Sequence, residues 1–220
     1  MRVVSVFATM QGEGSAAGSP AVFVRLTGCN LWNGYDDDRA KSRGVCGEWC
    51  DTYFATGKAY TQEQLLESIE HEARLMKSPV VVFTGGEPML QLRKQESIAT
   101  LAELRERDYR LHLETNGTLS HDILGLFEHV TVSPKRLRSV RPSDALKHIK
   151  LRRGTDLKIV HGQWNERQLQ QMATWDFQNK FIQPCDFGRS KPDDIIEPLN
   201  QAAQLGFRVS VQTHKLVGMP

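Results

Sequence analysis

Three of the four cysteines in this 220-residue chain, Cys29, Cys46 and Cys50, lie on one polar stretch that also carries Trp32 and Trp49. Thiolates are ligands for soft and transition metals. A closed structural zinc site takes four protein ligands. Here the fourth cysteine, Cys185, is far away in sequence, and no Cys-x-x-His or second cysteine pair completes a set. Three thiolates suit a 4Fe–4S cluster whose remaining iron stays open for an outside ligand. Zinc and free thiols are the competing readings. The cluster is preferred because incomplete ligation makes sense only for a reactive centre. Disulfides are not needed in a chain long enough to build its own core, and a reducing cytoplasm would not keep them.

Something must position these thiols. Strand-like runs rich in Val, Ile, Phe and Tyr fall at 2–7, 21–27, 79–84, 109–114, 128–133, 156–160, 180–183 and 207–212. Helical patterns lie between several of them. Residues 61–77 open with the capping-box pair Thr61 and Gln64 and put Leu65, Ile69, Ala73 and Met76 on one face. Residues 95–107 group Ile98, Leu101 and Ala102, and 193–206 group Ile196, Leu199 and Ala203; 165–174 is a weaker pattern. Alternating strands and helices predict a mostly parallel α/β sheet with helices outside. A full eight-fold barrel takes about 250 residues, and residues 28–60 read as loop. The expectation is therefore an incomplete, open TIM-like barrel in a single domain over 1–220, with 28–60 as the cluster-binding loop.

Strand after strand ends in a polar Gly/Pro cluster: Thr84 to Pro88, Glu114-Thr115-Asn116-Gly117, Ser133-Pro134-Lys135, Gln183-Pro184 and Gln212-Thr213-His214-Lys215. One such cluster is ordinary turn chemistry. Five at equivalent positions predict a shared site at the carboxyl ends of the strands.

Net charge is +2, from 28 basic and 26 acidic residues, which creates no field that argues for nucleic acid or an acidic membrane surface. The basic stretch 135–153 reads as a solvated connection. No apolar run approaches a membrane span and the N-terminus lacks a secretory signal, so a cytoplasmic protein is expected.

With Trp49 just before the last cysteine and Gly85-Gly86-Glu87-Pro88 further on, the chain resembles the radical S-adenosylmethionine superfamily. More narrowly it resembles the 7-carboxy-7-deazaguanine synthases. The matching segments are Gln11-Gly12-Glu13-Gly14, Cys29 to Trp32, Trp49 to Thr52, Thr84 to Pro88, Glu114 to Gly117, Ser133 to Lys135 and Gln212 to Lys215. They run in family order from near the start almost to the last residue. One departure stands out. Most of the superfamily carries Cys-x3-Cys-x2-Cys, whereas sixteen residues separate Cys29 from Cys46 and three separate Cys46 from Cys50. This bears on the path of the loop and on which backbone groups meet the adenine. Asn33, at the short-motif position, is no thiolate ligand.

The resemblance implies a homodimeric lyase. It would convert 6-carboxy-5,6,7,8-tetrahydropterin to 7-carboxy-7-deazaguanine with loss of ammonia, using a 4Fe–4S cluster, S-adenosylmethionine and Mg²⁺. An electron donor such as flavodoxin is implied as partner. Cys29, Cys46 and Cys50 would hold the cluster and Thr52 the Mg²⁺. Trp49, Asp51, Gly86, Ser133, Pro134, Lys135, Gln183, Pro184, Cys185 and Asp186 would border S-adenosylmethionine. Met10, Gln11, Gly12, Glu13, Arg25, Thr84 and Pro220 would contact the pterin. His214 and Lys215 are either site or solvated surface. The hard chemistry belongs to the cofactor, and no side chain is expected to act as a separate catalyst. Two rivals stand beside this reading: a glycyl-radical activase with the same cluster, and a zinc-binding interaction module.

Overall fold

Every second residue of the expected strands is apolar, and the fold uses this alternation directly. In the computed structural model, which describes residues 1–77, 79–185 and 195–219, the strands are β1 (Arg2–Met10), β2 (Pro20–Leu26), β3 (Lys58–Ala59), β4 (Val80–Gly85), β5 (Arg110–Thr115), β6 (His129–Val132), β7 (Arg153–Val160), β8 (Asp176–Gln183) and β9 (Arg208–Val209). Among the described residues they form one sheet in the order β3-β1-β2-β4-β5-β6-β7-β8-β9. β1 runs antiparallel to β2 and β3; every pairing from β2 to β9 is parallel. The two ends of the sheet, β3 and β9, do not pair with each other. This is the open, partial α/β barrel that the sequence predicts.

The outer face is apolar. Val22, Val24, Leu26, Val81, Phe83, Leu111 and Leu113 are fully buried against Leu65 and Ile69 of α1 (Gln62–Ala73), Met89 and Leu92 of the short α2 (Met89–Leu92), and Leu101 and Leu104 of α3 (Gln95–Glu106). A second cluster covers the later strands, with Leu157, Ile159 and Ile182 under Leu169 and Met172 of α4 (Glu166–Ala173). The capping box of α1 forms as expected: Gln64 N–H donates to Thr61 Oγ1 at 3.2 Å and Thr61 N–H to Gln64 Oε1 at 3.0 Å. A matching box, Asn165 with Gln168, starts α4.

Three expectations need correction. α1 ends at Ala73, so Met76 lies beyond it. In α5 (Ile196–Leu205) the expected buried stripe is exposed: Ile196, Leu199 and Ala203 face outward, while Pro198 and Ala202 are buried. The helix is apolar on more than one side, and the face with small residues is the one that can approach β8 and β9 closely. The 28–60 loop is also not featureless, since it contains short helical turns at Asp36–Lys41 and Val45–Glu48 and the edge strand β3.

Candidate active site

The inner face of the sheet is unlike the outer one. Arg25 of β2, Thr84 of β4, Glu114 of β5, Thr131 of β6, Lys158 of β7 and Gln183 of β8 point into one cavity of about 430 Å³ at the carboxyl ends of the strands. Cys29, Cys46 and Cys50 line its rim, with Trp49, Asp51, Thr52, Gly86, Ser133 and Lys135.

The sequence positions the cysteine loop by several separate ties. Gly28 N–H donates to Phe54 O and Glu87 N–H to Gly28 O, which pins Cys29 between the loop's far end and the Gly85–Pro88 turn. Gly86 is needed here, because a Cβ on it would lie 2.2 Å from Gly28 O and 2.9 Å from Cys29 Cβ. Asn116 Nδ2 donates to Asn30 Oδ1 at 3.0 Å, and Asn30 Nδ2 to Thr118 Oγ1 at 2.8 Å, joining the loop to the end of β5. The long Cys29–Cys46 spacer is docked, not free. Val45 N–H donates to Arg136 O and Arg138 N–H to Arg43 O, with a bridge between Gly44 and Leu137. Arg39 lies over the Trp32 ring at 4.7 Å and donates to Gly47 O and Cys50 O. The unusual spacing is thus absorbed by a compact insert that brings Cys46 and Cys50 back to the rim.

None of the three thiols is in a disulfide. Burial pushes each pKa up, that of Cys46 to about 11, and both Cys29 and Cys46 feel Cys50 electrostatically. Lys135 opposes the rise at Cys46 and Cys50. Thiols so placed are poor free nucleophiles and good ligands for a metal cluster, whose positive charge stabilises thiolates. Among the described residues no three His, Cys, Asp or Glu side chains converge tightly enough for a single metal ion. The donor set fits 4Fe–4S.

Arg25 shares the cavity with Lys135, Lys158 and Lys215. Its guanidinium sits 5.5 Å from the Phe7 ring centroid, and its buried Nε meets no partner. Burial lowers its pKa, against the pull of Asp51, Glu114 and Cys50. Opposite, Gln11 Nε2 and Thr84 Oγ1 donate to the two oxygens of Glu114, each at 3.0 Å. Glu13 pairs with the buried Lys158 ammonium and accepts from Gln183 Nε2 at 3.1 Å and Gln212 Nε2 at 2.7 Å. Gly12 is not a wall residue. Its carbonyl accepts from Thr213 N–H and Oγ1, and a Cβ would strike the His214 ring, so it docks α6 (Thr213–Leu216) over the mouth. His214 and Lys215 therefore belong to the cavity wall, Lys215 donating to Asp51 Oδ2 at 2.6 Å.

Met10, Gln11, Glu13, Arg25, Thr84, Pro184 and Cys185 all line the cavity. Pro134 is buried beside it without lining it. Asp186 and Pro220 lie outside the described residues. Sequence reasoning missed Lys158 and did not single out Glu114. The signal was there: Asp156 and Lys158 alternate with Leu157 and Ile159, so charged residues occupy the inward positions of a strand buried on both faces.

Residues 46–156 match the model of the radical SAM superfamily, starting at the second cysteine. A 7-carboxy-7-deazaguanine synthase of Caulobacter vibrioides is 37% identical, the match covering 99% of this chain and 98% of that one. One of Burkholderia multivorans is 36% identical with the same coverage. Among solved structures, QueE from Escherichia coli superposes with a TM-score of 0.65 over 97% of this chain and 94% of that one, at 23% identity. An open parallel barrel with three thiols at its mouth, in a chain matching that superfamily, makes this a radical S-adenosylmethionine enzyme, a class that carries a 4Fe–4S cluster and S-adenosylmethionine. Within it, the chain belongs to the 7-carboxy-7-deazaguanine synthases of the queuosine pathway. That membership removes both the activase and the zinc-module alternatives. No helix among the described residues is long and apolar enough to cross a membrane.

Proposed function

We propose that the cavity takes 6-carboxy-5,6,7,8-tetrahydropterin and that the chain contracts its ring to 7-carboxy-7-deazaguanine, releasing ammonia. Arg25 carries this reading: a half-buried guanidinium beside the cluster thiols, with an unpartnered Nε, suits planar recognition of a carboxylate. Gln11 and Glu13, on the β1–β2 connection, present an amide and a carboxylate to the heterocycle's pyrimidine edge, with Thr84 and Met10 beside them. When bound, the cluster and S-adenosylmethionine supply a carbon-centred radical able to take hydrogen from the substrate.

The chain's own residues do the positioning. Cys29, Cys46 and Cys50 hold the cluster. Gly86 lets the strand-end backbone come close to the methionine moiety, and Trp49, Asp51, Ser133, Lys135, Gln183, Pro184 and Cys185 border the nucleoside. Thr52, whose Oγ1 lies 3.4 Å from Asp51 Oδ1, offers an oxygen to Mg²⁺ alongside the substrate carboxylate, in keeping with the ion's preference for oxygen ligands. Closure of the mouth by α6 excludes water. The active form in this reading is a cytoplasmic homodimer reduced by a flavodoxin-like donor.

Anaerobic incubation of reconstituted enzyme with pterin, S-adenosylmethionine and reductant, with product mass analysis and with or without Mg²⁺, is the test. Deazaguanine formation stimulated by Mg²⁺ is expected. Cofactor cleavage without that product would overturn the substrate assignment.

A further inference from the structure

Two buried charges on β7, two residues apart, point inward and are not accounted for by the chemistry above. Lys158 pairs with Glu13. Asp156, fully buried, accepts from Ser15 N–H and Ser15 Oγ, each at 2.7 Å, from Asn179 Nδ2 at 3.0 Å, and lies 3.2 Å from His129 Nε2. Both therefore hold the same short segment, Glu13 to Ser15, one at each end. Between them Gly14 has φ +66°, and a Cβ there would sit 2.5 Å from Asp156 Oδ2. The backbone thus presses against the carboxylate as closely as glycine allows. Gly14 N–H donates to Ser210 Oγ at 3.0 Å, completing the grip.

The energetic logic is specific. A buried aspartate that accepts from two N–H groups and a hydroxyl, with an imidazole alongside, is a strong, directional anchor. A surface turn such as Gly14–Ala16 does not need one to form. What the anchor adds is a fixed position for Glu13 on the β1–β2 connection.

We propose that Asp156 and Lys158 are positioning residues that lock Glu13, ionised and aimed at the cavity, so that it reads the N–H edge of the substrate's 2-amino-4-oxopyrimidine ring. This rests on the reading that Glu13 contacts the pterin, and the experiment separates the two. Glu13→Gln, Asp156→Asn, Lys158→Met and the milder Ser15→Ala are compared as reconstituted holoenzymes. Iron content and melting temperature report whether each variant folds, and KM is measured separately for the pterin and for S-adenosylmethionine. A positioning role raises pterin KM by about tenfold in Asp156→Asn and Lys158→Met, and less in Ser15→Ala, while KM for S-adenosylmethionine stays within about twofold. A purely structural role moves both constants together, or neither in the well-folded Ser15→Ala protein, and would overturn the proposal. If Glu13→Gln raises pterin KM but the β7 variants do not, the positioning idea falls and the substrate reading stands. If Glu13→Gln leaves pterin KM unchanged, the substrate reading falls and takes the proposal with it.

Discussion

Replacing Glu87 with glutamine probes the tie between the ends of β4 and β5. Glu87 is fully buried. One of its oxygens accepts from Thr115 Oγ1 at 2.7 Å and Met89 N–H at 3.1 Å, and the other from Asn116 N–H at 2.7 Å. Burial is the largest effect and leaves its pKa raised, although those three donors and Lys135 pull it back. The neighbours decide the species. A protonated acid would aim an O–H at a shell of donors: the Met89 and Asn116 N–H groups cannot accept it, and the Thr115 hydroxyl could do so only by giving up its own donation to Glu87. Glu87 is therefore read as a carboxylate. Glutamine keeps the shape but has one acceptor fewer. With its oxygen toward Thr115 and Met89, its amide nitrogen faces Asn116 N–H, donor against donor. Turned over, it strands Met89 N–H. Either orientation leaves a buried backbone N–H unsatisfied and removes a charge-assisted bond, for a cost of about 3 kcal/mol. In a chain of this size each kcal/mol shifts the melting temperature by about 2–4 °C, so a drop of roughly 6–12 °C is expected. Urea unfolding of the apoprotein near neutral pH, alongside a melting curve, measures it. A midpoint unchanged to within about 1 kcal/mol would refute the reasoning and make Glu87 a neutral acid.

Gly86→Ala puts a methyl group 2.2 Å from Gly28 O and 2.7 Å from Gly28 C, contacts with backbone that cannot rotate away. Iron per chain after reconstitution is expected to fall well below wild type while the far-ultraviolet circular dichroism is retained; full iron loading would contradict the close approach. Arg25→Lys keeps the charge but loses the planar fork, and steady-state kinetics should show pterin KM raised about tenfold. His112 is buried with neither ring nitrogen hydrogen-bonded, and it stacks on His129 at 4.7 Å. Burial first, and His129 second, lower its pKa from 6.5 to about 4. Between those values the unfolded chain takes up a proton that the folded one refuses. Stability is therefore full above about pH 6.5 and is lost as the pH falls toward 4, by up to roughly 3 kcal/mol. His112→Phe keeps the stack and removes the proton site, so its urea midpoint should fall less than wild type on acidification; an identical pH dependence would exclude His112 as the cause.

The barrel was legible because alternation along Val22-Val24-Leu26 and Leu111-Leu113 is a direct imprint of a face packed on helices. The three thiols were legible for a different reason: few residue types bind a cluster, so type alone narrows the role. What stayed hidden was the inner face. A parallel strand covered on both sides usually reads as a continuous apolar run, and in β7 the inward positions Asp156 and Lys158 break that rule. A charge in such a strand looks, in isolation, like a weak strand. It becomes interpretable only when its partner is known, and the partners, Ser15 and Glu13, lie more than a hundred residues upstream across the barrel mouth. The misread face of α5 has the same origin. Periodicity says which residues share a side, but not whether close packing favours bulky Ile196 and Leu199 or the compact Pro198 and Ala202. The positions least legible locally are therefore those that close the open side of the barrel: the Gln11–Ser15 segment reaches across to β5, β7, β8 and α6. Because that bridge carries both Gln11 and Glu13, the contacts that close the fold are the same contacts that shape the substrate wall, and damage to one should be felt at the other.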